Sequence, residues 1–165
     1  MYNMQISYSI GIDIGGTNTD IGLVRNDGKI IDKVNLKTNE YYDANQYVKD
    51  MAEKINELLG RNNIVEIDGI GIGAPNGNTY TGSIDNAPNL NFKGNVKLVE
   101  LMKQYIDTKI VVSNDANAAA YGEMIYGGAK DLDHFITFTL GTGVGSGIII
   151  DRKLVLGSTS TAGEL

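Results

Sequence analysis

A carboxylate beside a glycine-rich turn is the first arrangement in this chain that could do chemistry. Asp13 ends an apolar run in IGIDIGGTNTDIGLV, and the turn that follows it contains Gly15, Gly16, Thr17 and Asn18. An ionised carboxylate at the end of an apolar strand is costly unless it is solvated, hydrogen-bonded or next to a metal ion. Consecutive backbone amides in a tight turn form a concavity that binds anions. These residue types indicate a site for a charged ligand, although Gly-Gly-Thr alone would more simply be a turn.

A second glycine turn repeats this layout later in the chain, where it consists of Gly141, Thr142 and Gly143. Placing Gly15 on Gly141, an offset of 126 residues, puts Thr139 at the position that Asp13 has in the first copy. Two such turns could hold a polyphosphate from both sides. Asp13 could then orient Mg²⁺ through water, because that ion keeps several waters and takes only one or two carboxylates.

Neither turn matches the two best-known phosphate-binding loops. The P-loop needs Gly-Lys-Ser/Thr before a helix, and the dinucleotide-binding loop also opens a helix. Both turns here are followed by residues that predict strands. The phosphate site is therefore expected to be of another kind.

Further polar residues stand after a predicted strand and within loops. In SNDANAAAYGEM, Ser113, Asn114 and Asp115 separate an apolar run from a helical pattern. A helix N-cap is the simpler role for such residues. The carboxyl end of a central strand is also where α/β proteins place their chemistry, so Asp115 could accept a proton from a hydroxyl group. Asn89 in DNAPNLNFKG and Glu164 near the last residue could be a turn former and an exposed acid.

Strands and helices that would position these residues can be read from the apolar spacing. Alternating apolar residues and the Asp27-Gly28 turn predict three antiparallel strands at the start, and later runs predict strands at residues 64–75 and 109–115. Apolar residues at spacings of three and four predict helices over residues 43–59, 96–106 and 116–126. Residues 76–95 show little periodicity and predict a long loop. Strand, glycine turn, strand, turn and strand follow again in residues 135–157.

Composition restricts the classes of protein to which the chain can belong. Its 165 residues, 42% apolar and 21% charged, are enough to bury a core of one domain or slightly more. The net charge of −6 opposes nucleic-acid binding, which depends on clustered Lys and Arg. No cysteine is present to form a disulfide or a thiolate metal site, and no apolar run is long enough to cross a membrane. The cytoplasm is the expected compartment, and small molecules are the expected ligands.

Five motifs taken together resemble the sugar kinases of the ROK family, which is named for repressors, open reading frames and kinases. They are DIGGTN, APNL, SNDANAAAYGE, TLGTGVGSGIIID and TAGEL, in the family's order and at its approximate spacing. The resemblance implies an α/β chain with the ribonuclease-H-like fold of actin-like ATPases and a mixed five-stranded sheet. It implies a sugar-side domain in residues 1–133, and the first hairpin of a similar ATP-side domain in residues 134–165.

Roles for individual residues follow from the same resemblance. It implies phosphate contacts from both glycine turns, Mg²⁺ held through water near Asp13, and Asp115 as the catalytic base of an ATP-dependent hexose kinase. It implies sugar contacts from Asn76, Gly77, Asn89, Asn114, Asp115 and Glu164. Glucose is the expected sugar, with N-acetylmannosamine and fructose behind it. The chain has Gly73-Ala74-Pro75-Asn76-Gly77 where the family usually has Gly-any-Pro-Gly, and this departure weakens the sugar assignment.

The family pattern continues beyond Leu165, with a sugar-binding histidine, a zinc-binding cysteine cluster and most of the adenosine-binding domain. The resemblance therefore predicts an N-terminal portion of a longer protein that is inactive alone, with structural Zn²⁺ only in the remaining part. It allows a homodimer of the full-length protein, and a DNA-binding member is not expected, since no helix-turn-helix precedes Met1. Two alternatives stay open: a ROK-type sugar sensor without catalysis, and an actin-like ATPase that binds no sugar.

Overall fold

A mixed five-stranded sheet forms the centre of the fold. The structure, a computed structural model, describes residues 5–140 and 143–164. Three antiparallel strands come first: β1 (Tyr8–Ile14), β2 (Thr19–Arg25) and β3 (Ile30–Leu36). Two later strands lie parallel to β1: β4 (Ile70–Gly73) and β8 (Ile110–Ser113). The order β3-β2-β1-β4-β8 confirms the predicted α/β sheet.

Helices cover this sheet. A short 3₁₀ segment (Thr38–Glu40) precedes α1 (Ala44–Arg61), which is followed by α2 (Leu98–Met102) and α3 (Asp115–Ile125). The Asp43 side chain caps α1 by accepting a hydrogen bond from the Asn45 backbone amide at 3.0 Å. The buried stripe of α1 has the predicted helical spacing and comprises Tyr47, Val48, Met51, Ala52, Ile55 and Leu58. Within the described ranges, no helix is long and apolar enough to cross a membrane.

The segment from residue 76 to residue 106 differs from the prediction in two ways. The long loop contains a small antiparallel sheet of β5 (Gly77–Asn78), β6 (Ser83–Asp85) and β7 (Asn95–Val96). Strands of two or three residues are too short to show an apolar period. The predicted helix over residues 96–106 is wrong in extent, because Val96 belongs to β7 and the chain tightens after Met102 into bonds that span three residues.

A three-stranded hairpin sheet packs against α3. It consists of β9 (Phe135–Leu140), β10 (Val144–Ile150) and β11 (Lys153–Leu154), as the second strand-turn-strand pattern predicts. Gly147 lets this sheet approach closely, since a Cβ there would lie 2.5 Å from the Cβ of Ala120. The opposite face of β9 stays exposed, with Phe138 at 59% and Leu140 at 82%. The division of the chain at residue 133 stays a prediction.

Candidate functional site

Three parallel strands end at the same level and bring chemistry-bearing residues together. In the sheet register, Asp13 of β1 pairs with Gly73 of β4, and Gly73 pairs with Ser113 of β8. Asp115 follows two residues after Ser113, at the start of α3. Ligands of open α/β sheets bind in the crevice beyond the carboxyl ends of the strands. The structure thus places Asp13 and Asp115, which are far apart in the sequence, at one edge of the sheet.

The two polar residues at the start of α3, Asn114 and Asp115, have different roles. Asn114 is the N-cap, and its side-chain oxygen accepts a hydrogen bond from the Asn117 backbone amide at 2.7 Å. Asp115 is the first helical residue, and its Oδ1 accepts from the Ala116 amide at 2.8 Å. The N-cap role considered for Ser113, Asn114 and Asp115 is therefore filled by Asn114 and not by Asp115. Asp115 is left at the mouth of the crevice.

A cleft of about 380 Å³ lies between these strand ends and the hairpin sheet. We call it the carboxylate cleft, and it is lined by Ile12, Asp13, Gly73, Asp115, Ala118, Ala119 and Thr139. Gly73 lies at the floor of the cleft, where a larger residue would crowd α3, since a Cβ there would lie 3.2 Å from the Cβ of Ala118. Thr139 occupies in the second copy the position that Asp13 has in the first. The two corresponding residues, Asp13 and Thr139, therefore line one cleft.

The electrostatics of the cleft centre on Asp13. Its side chain is accessible from the open side of the cleft, but the surrounding walls remove part of its hydration. This desolvation raises the pKa of Asp13 above its ordinary value of 3.8, and the negative charges of Asp115 and Asp20 raise it further. Asp20 stands opposite Asp13 in the register of β1 and β2. The cleft concentrates negative charge that a cation would neutralise.

The residues present fit a magnesium ion better than a metal with many protein ligands. No group of three or more His, Asp or Glu side chains arranged around a common point occurs in residues 5–140 and 143–164. Magnesium needs only one or two carboxylates, since it keeps several of its waters and takes other ligands from phosphate groups. Asp13 and Asp115 are close enough for their charges to interact. They are the residues of the carboxylate cleft that could orient such an ion.

The first glycine turn, residues 15–18, follows directly after Asp13 and Ile14 at the end of β1. Its closing hydrogen bond runs from the Gly15 amide to the Asn18 carbonyl oxygen at 2.9 Å, and the side chains of Thr17 and Asn18 are exposed. Of the second turn, Gly141 and Thr142 lie outside the described residues. Gly143 is exposed, and a Cβ there would meet nothing within 4 Å.

A second depression, of about 370 Å³, gathers polar side chains from two distant parts of the chain. We call it the polar cavity, and it is lined by Asn76, Gly77, Asn78, Asp85, Thr159, Ser160, Thr161 and Glu164. Asn76 has a left-handed backbone (φ 52°), and its side-chain amide donates to the Asp85 carbonyl oxygen at 3.0 Å. Gly77 lies so close to the Ser113 carbonyl that any side chain there would clash. These contacts fix the backbone conformation of Asn76 and Gly77 at the rim of the polar cavity.

One hydrogen bond connects the polar cavity to the carboxylate cleft. The Asn114 side-chain amide donates to Glu164 Oε1, and Glu164 also forms an isolated β-bridge with Gly145. Asn114 precedes Asp115, which lines the carboxylate cleft. The bond thus joins a residue of the polar cavity to the chain neighbour of a residue of the carboxylate cleft.

The predicted sugar contacts fall into three places, and one of these, the carboxylate cleft, holds Asp115. Asn76, Gly77 and Glu164 line the polar cavity, and Asn114 joins them through Glu164. Asn89 lies apart, in a loop that packs on the first glycine turn. The sequence reasoning missed several lining residues: Asn78, Asp85, Thr159, Ser160 and Thr161. These residues lie in non-periodic segments and carried no recognisable signal, whereas the 126-residue offset pointed to Thr139.

Known proteins resemble this chain over nearly its whole length. The model of the ROK family matches residues 9–165. A glucokinase from Thermotoga maritima is 34% identical over 157 residues, which are 94% of this chain and 49% of the relative. An N-acetylmannosamine kinase from Vibrio cholerae is also 34% identical over 157 residues, 95% of this chain and 53% of the relative. The chain spans about half the length of the curated relatives it matches.

Solved structures share the fold. A ROK family glucokinase from Streptomyces griseus, crystallised in complex with glucose and AMPPNP, superposes with a TM-score of 0.82 at 33% identity, over 96% of this chain and 49% of that chain. A ROK family transcriptional regulator gives a TM-score of 0.84 at 20% identity, over 96% of this chain and 40% of that chain. At that identity the likeness shows the fold alone. The actin-like α/β fold expected from the sequence is thereby confirmed.

Proposed function

The chain belongs to the ROK family, and from this premise we propose that its protein is an ATP-dependent sugar kinase that converts a hexose to its 6-phosphate. The observation that carries the proposal is the hydrogen bond between Asn114 and Glu164, which links the polar cavity to the residue next to Asp115. A sugar in the polar cavity would then have a hydroxyl group near the carboxylate cleft, where Asp13 and Asp115 lie.

The sugar would be recognised through its hydroxyl groups. The polar cavity supplies amide and carboxylate groups from Asn76, Asn114 and Glu164, and the backbone of Gly77. Asn89 would reach the sugar from the loop beside the first glycine turn. Sites that hydrogen-bond each hydroxyl reject sugars that lack one, because a buried polar group is then left unpaired. We assign glucose first and N-acetylmannosamine second, in line with the relatives named glucokinase and N-acetylmannosamine kinase.

The nucleotide phosphates would lie along the two glycine turns. Gly15, Gly16, Thr17 and Asn18 would border them from one side, with Gly141, Thr142 and Gly143 on the other; in the first turn the amides of Gly16, Thr17 and Asn18 would donate, since the Gly15 amide closes the turn. Asp13 would orient a magnesium ion through water. When bound, that ion supplies positive charge that neutralises the phosphate oxygens.

The chemistry assigned to this chain is mainly positioning and proton transfer. Asn114 and Glu164 would hold the sugar so that its reacting hydroxyl faces Asp115. Asp115 would accept the hydroxyl proton as the oxygen attacks the γ-phosphorus and the bond to the β-γ bridging oxygen of ATP breaks. The apolar walls formed by Ile12, Ala118 and Ala119 would limit water near the reacting groups.

We expect glucose to give the highest kcat/KM when the protein at its natural full length is tested on a panel of hexoses. The reason is recognition of the sugar hydroxyl by hydroxyl, which predicts at least a ~10²-fold preference over an epimer that leaves a buried polar group unpaired. Coupled detection of ADP with glucose, N-acetylmannosamine, fructose, mannose and galactose measures it. Equal and negligible turnover on every sugar would remove the kinase proposal.

We expect residues 1–165 on their own to phosphorylate no sugar at a measurable rate. The relatives are about twice as long, and the apolar side chains on one face of β9 are exposed. A kinase cleft that cannot close does not exclude water or complete its catalytic set. Steady-state phosphorylation of glucose by the purified 165-residue chain, at a rate proportional to its concentration, would contradict this expectation.

A further inference from the structure

Two loops assigned to different ligands touch each other in this structure. A Cβ added to Gly16 of the first glycine turn would lie 2.9 Å from the Asn89 carbonyl oxygen and 3.4 Å from Asn89 Cβ. No side chain fits between them. The first glycine turn and the segment of residues 87–92, which we call the Asn89 loop, are therefore packed backbone to backbone.

The backbone of one residue, Asn39, hydrogen-bonds to both loops. The Asn39 amide donates to the Thr17 carbonyl oxygen of the glycine turn at 3.4 Å. The Asn39 carbonyl oxygen accepts from the side-chain amide of Asn91, in the Asn89 loop, at 2.7 Å. A continuous chain of polar contacts thus runs from the glycine turn through the 3₁₀ segment to the Asn89 loop.

A buried cluster around Tyr47 joins the residue after the glycine turn, the 3₁₀ segment and the Asn89 loop. The Tyr47 hydroxyl lies 2.5 Å from Thr19 Oγ1, immediately after the glycine turn, and Thr19 Oγ1 lies 2.8 Å from Thr38 Oγ1. The Tyr47 ring stacks at a tilt on Phe92 at the end of the Asn89 loop, with 5.1 Å between centroids. Tyr47, Thr19 and Thr38 are each fully buried. Satisfied buried polar networks of this kind make the surrounding structure rigid.

We propose that Tyr47 and Asn91 are positioning residues that hold the glycine turn and the Asn89 loop as one rigid unit. The proposal rests on the proposed function, in which the turn contacts nucleotide phosphates and the loop contacts the sugar. Its consequence is that the two ligands are located by the same body of the protein. A disturbance at either end of this unit changes the affinity for both ligands.

Cross-effects on the two KM values test this directly in the protein at its natural full length. Asn91→Ala removes the hydrogen bond from the Asn89 loop to the Asn39 carbonyl oxygen. We expect it to raise the KM for glucose and also the KM for ATP, although Asn91 is not among the residues proposed to contact ATP. Tyr47→Phe keeps the ring but removes the hydroxyl from Thr19, and we expect it to raise the KM for glucose as well as that for ATP. Loss of one such hydrogen bond corresponds to about a five-fold change in each constant.

Tyr41→Phe is the matched control. Tyr41 belongs to the same aromatic cluster, with its ring 5.3 Å from that of Tyr47, but its hydroxyl donates to Asp50 and not to the turn. We expect both KM values to stay as in the wild type. The proposal is overturned if Asn91→Ala and Tyr47→Phe each change only the nearer KM, or if Tyr47→Phe behaves like Tyr41→Phe.

Amide hydrogen exchange gives a readout that does not depend on turnover. We expect Asn91→Ala to speed exchange in residues 15–19 as well as in residues 87–92, whereas a purely local role would affect residues 87–92 alone. Should the wild-type protein phosphorylate no sugar, this comparison still decides whether the two loops form one unit. Failure of the proposed function is then distinguishable from failure of the rigid-unit proposal.

Discussion

Asp115→Asn, made in the protein at its natural full length, is expected to lower kcat by ~10²–10⁴-fold while leaving the fold and much of the sugar affinity intact. A sugar hydroxyl is a poor nucleophile at neutral pH and must lose its proton as the phosphoryl group arrives. Asparagine has nearly the same shape as aspartate and can still hydrogen-bond a hydroxyl, but it cannot accept the proton. Melting temperature, glucose binding and kcat measured on one preparation give the result.

The structure indicates that Asp115→Asn leaves the hydrogen bonds at the start of α3 unchanged. Asn114 caps α3 and Asp115 is the first helical residue, so Asp115→Asn leaves the capping hydrogen bond to the Asn117 amide in place. The contact from Asp115 Oδ1 to the Ala116 amide can be kept by the asparagine side-chain oxygen. A kcat near that of the wild type would therefore remove Asp115 from the mechanism, because no compensating structural change is available to explain it.

Asp13→Asn is expected to act in opposite directions on activity and stability. A metal ion that polarises phosphate oxygens contributes several kcal/mol, so losing the carboxylate that we propose to orient it should lower kcat/KM on the order of 10²–10³-fold. The same change should raise the melting temperature at neutral pH, because the folded protein holds the ionised Asp13 in a partly desolvated, negatively charged cleft. Residues arranged for catalysis often lower stability in this way.

The pH dependence fixes the sign of the stability effect. The pKa of Asp13 is raised above 3.8, so the folded state binds its proton more tightly than the unfolded chain does. Ionising Asp13 therefore costs stability as the pH rises from the unfolded pKa through the folded pKa. The gain from Asp13→Asn should be absent near pH ~3 and fully present at pH ~7. A stability loss at neutral pH would contradict the assigned charge environment.

Asp32→Asn is the matched control for this experiment. Asp32 is a surface residue of β3, and its hydrogen bonds with Arg61 and Asn62 hold its pKa well below the usual range. Its contribution to stability is present above the unfolded pKa and disappears as the pH falls through the folded pKa. Asp32→Asn should therefore lower the melting temperature slightly at neutral pH, with unchanged kcat, since exposed ion pairs are worth little.

Much of the sheet could be predicted because its signals are local. The Asp27-Gly28 turn and alternating apolar residues predicted β1 to β3, and the buried stripe of α1 has helical spacing. The proximity of Asp13 and Asp115 could also be anticipated, since Asp13 lies at the carboxyl end of β1 and Asp115 follows β8, and both strands end at the same edge of the sheet. The repeat offset correctly related Thr139 to Asp13, which line one cleft.

The remaining parts depend on contacts between distant segments that lack any period. The side-chain amide of Asn78 donates to the carbonyl oxygen of Thr159, 81 residues further along the chain, and neither segment is regular enough to predict. The contact of Asn89 with Gly16 likewise joins two loops. The length of α2 was overestimated because its apolar residues keep helical spacing into a stretch that folds as tight turns.

The most direct test of the central assignment is to follow phosphorus by ³¹P NMR while the protein at its natural full length acts on ATP, Mg²⁺ and glucose. Transfer to a hydroxyl beside Asp115 predicts that a sugar phosphate ester appears as fast as ADP, without inorganic phosphate. Inorganic phosphate released at a rate independent of glucose would instead identify an ATPase that uses no sugar. Glucose binding without any ADP would identify a sensor, and either result would contradict the assignment of a sugar kinase.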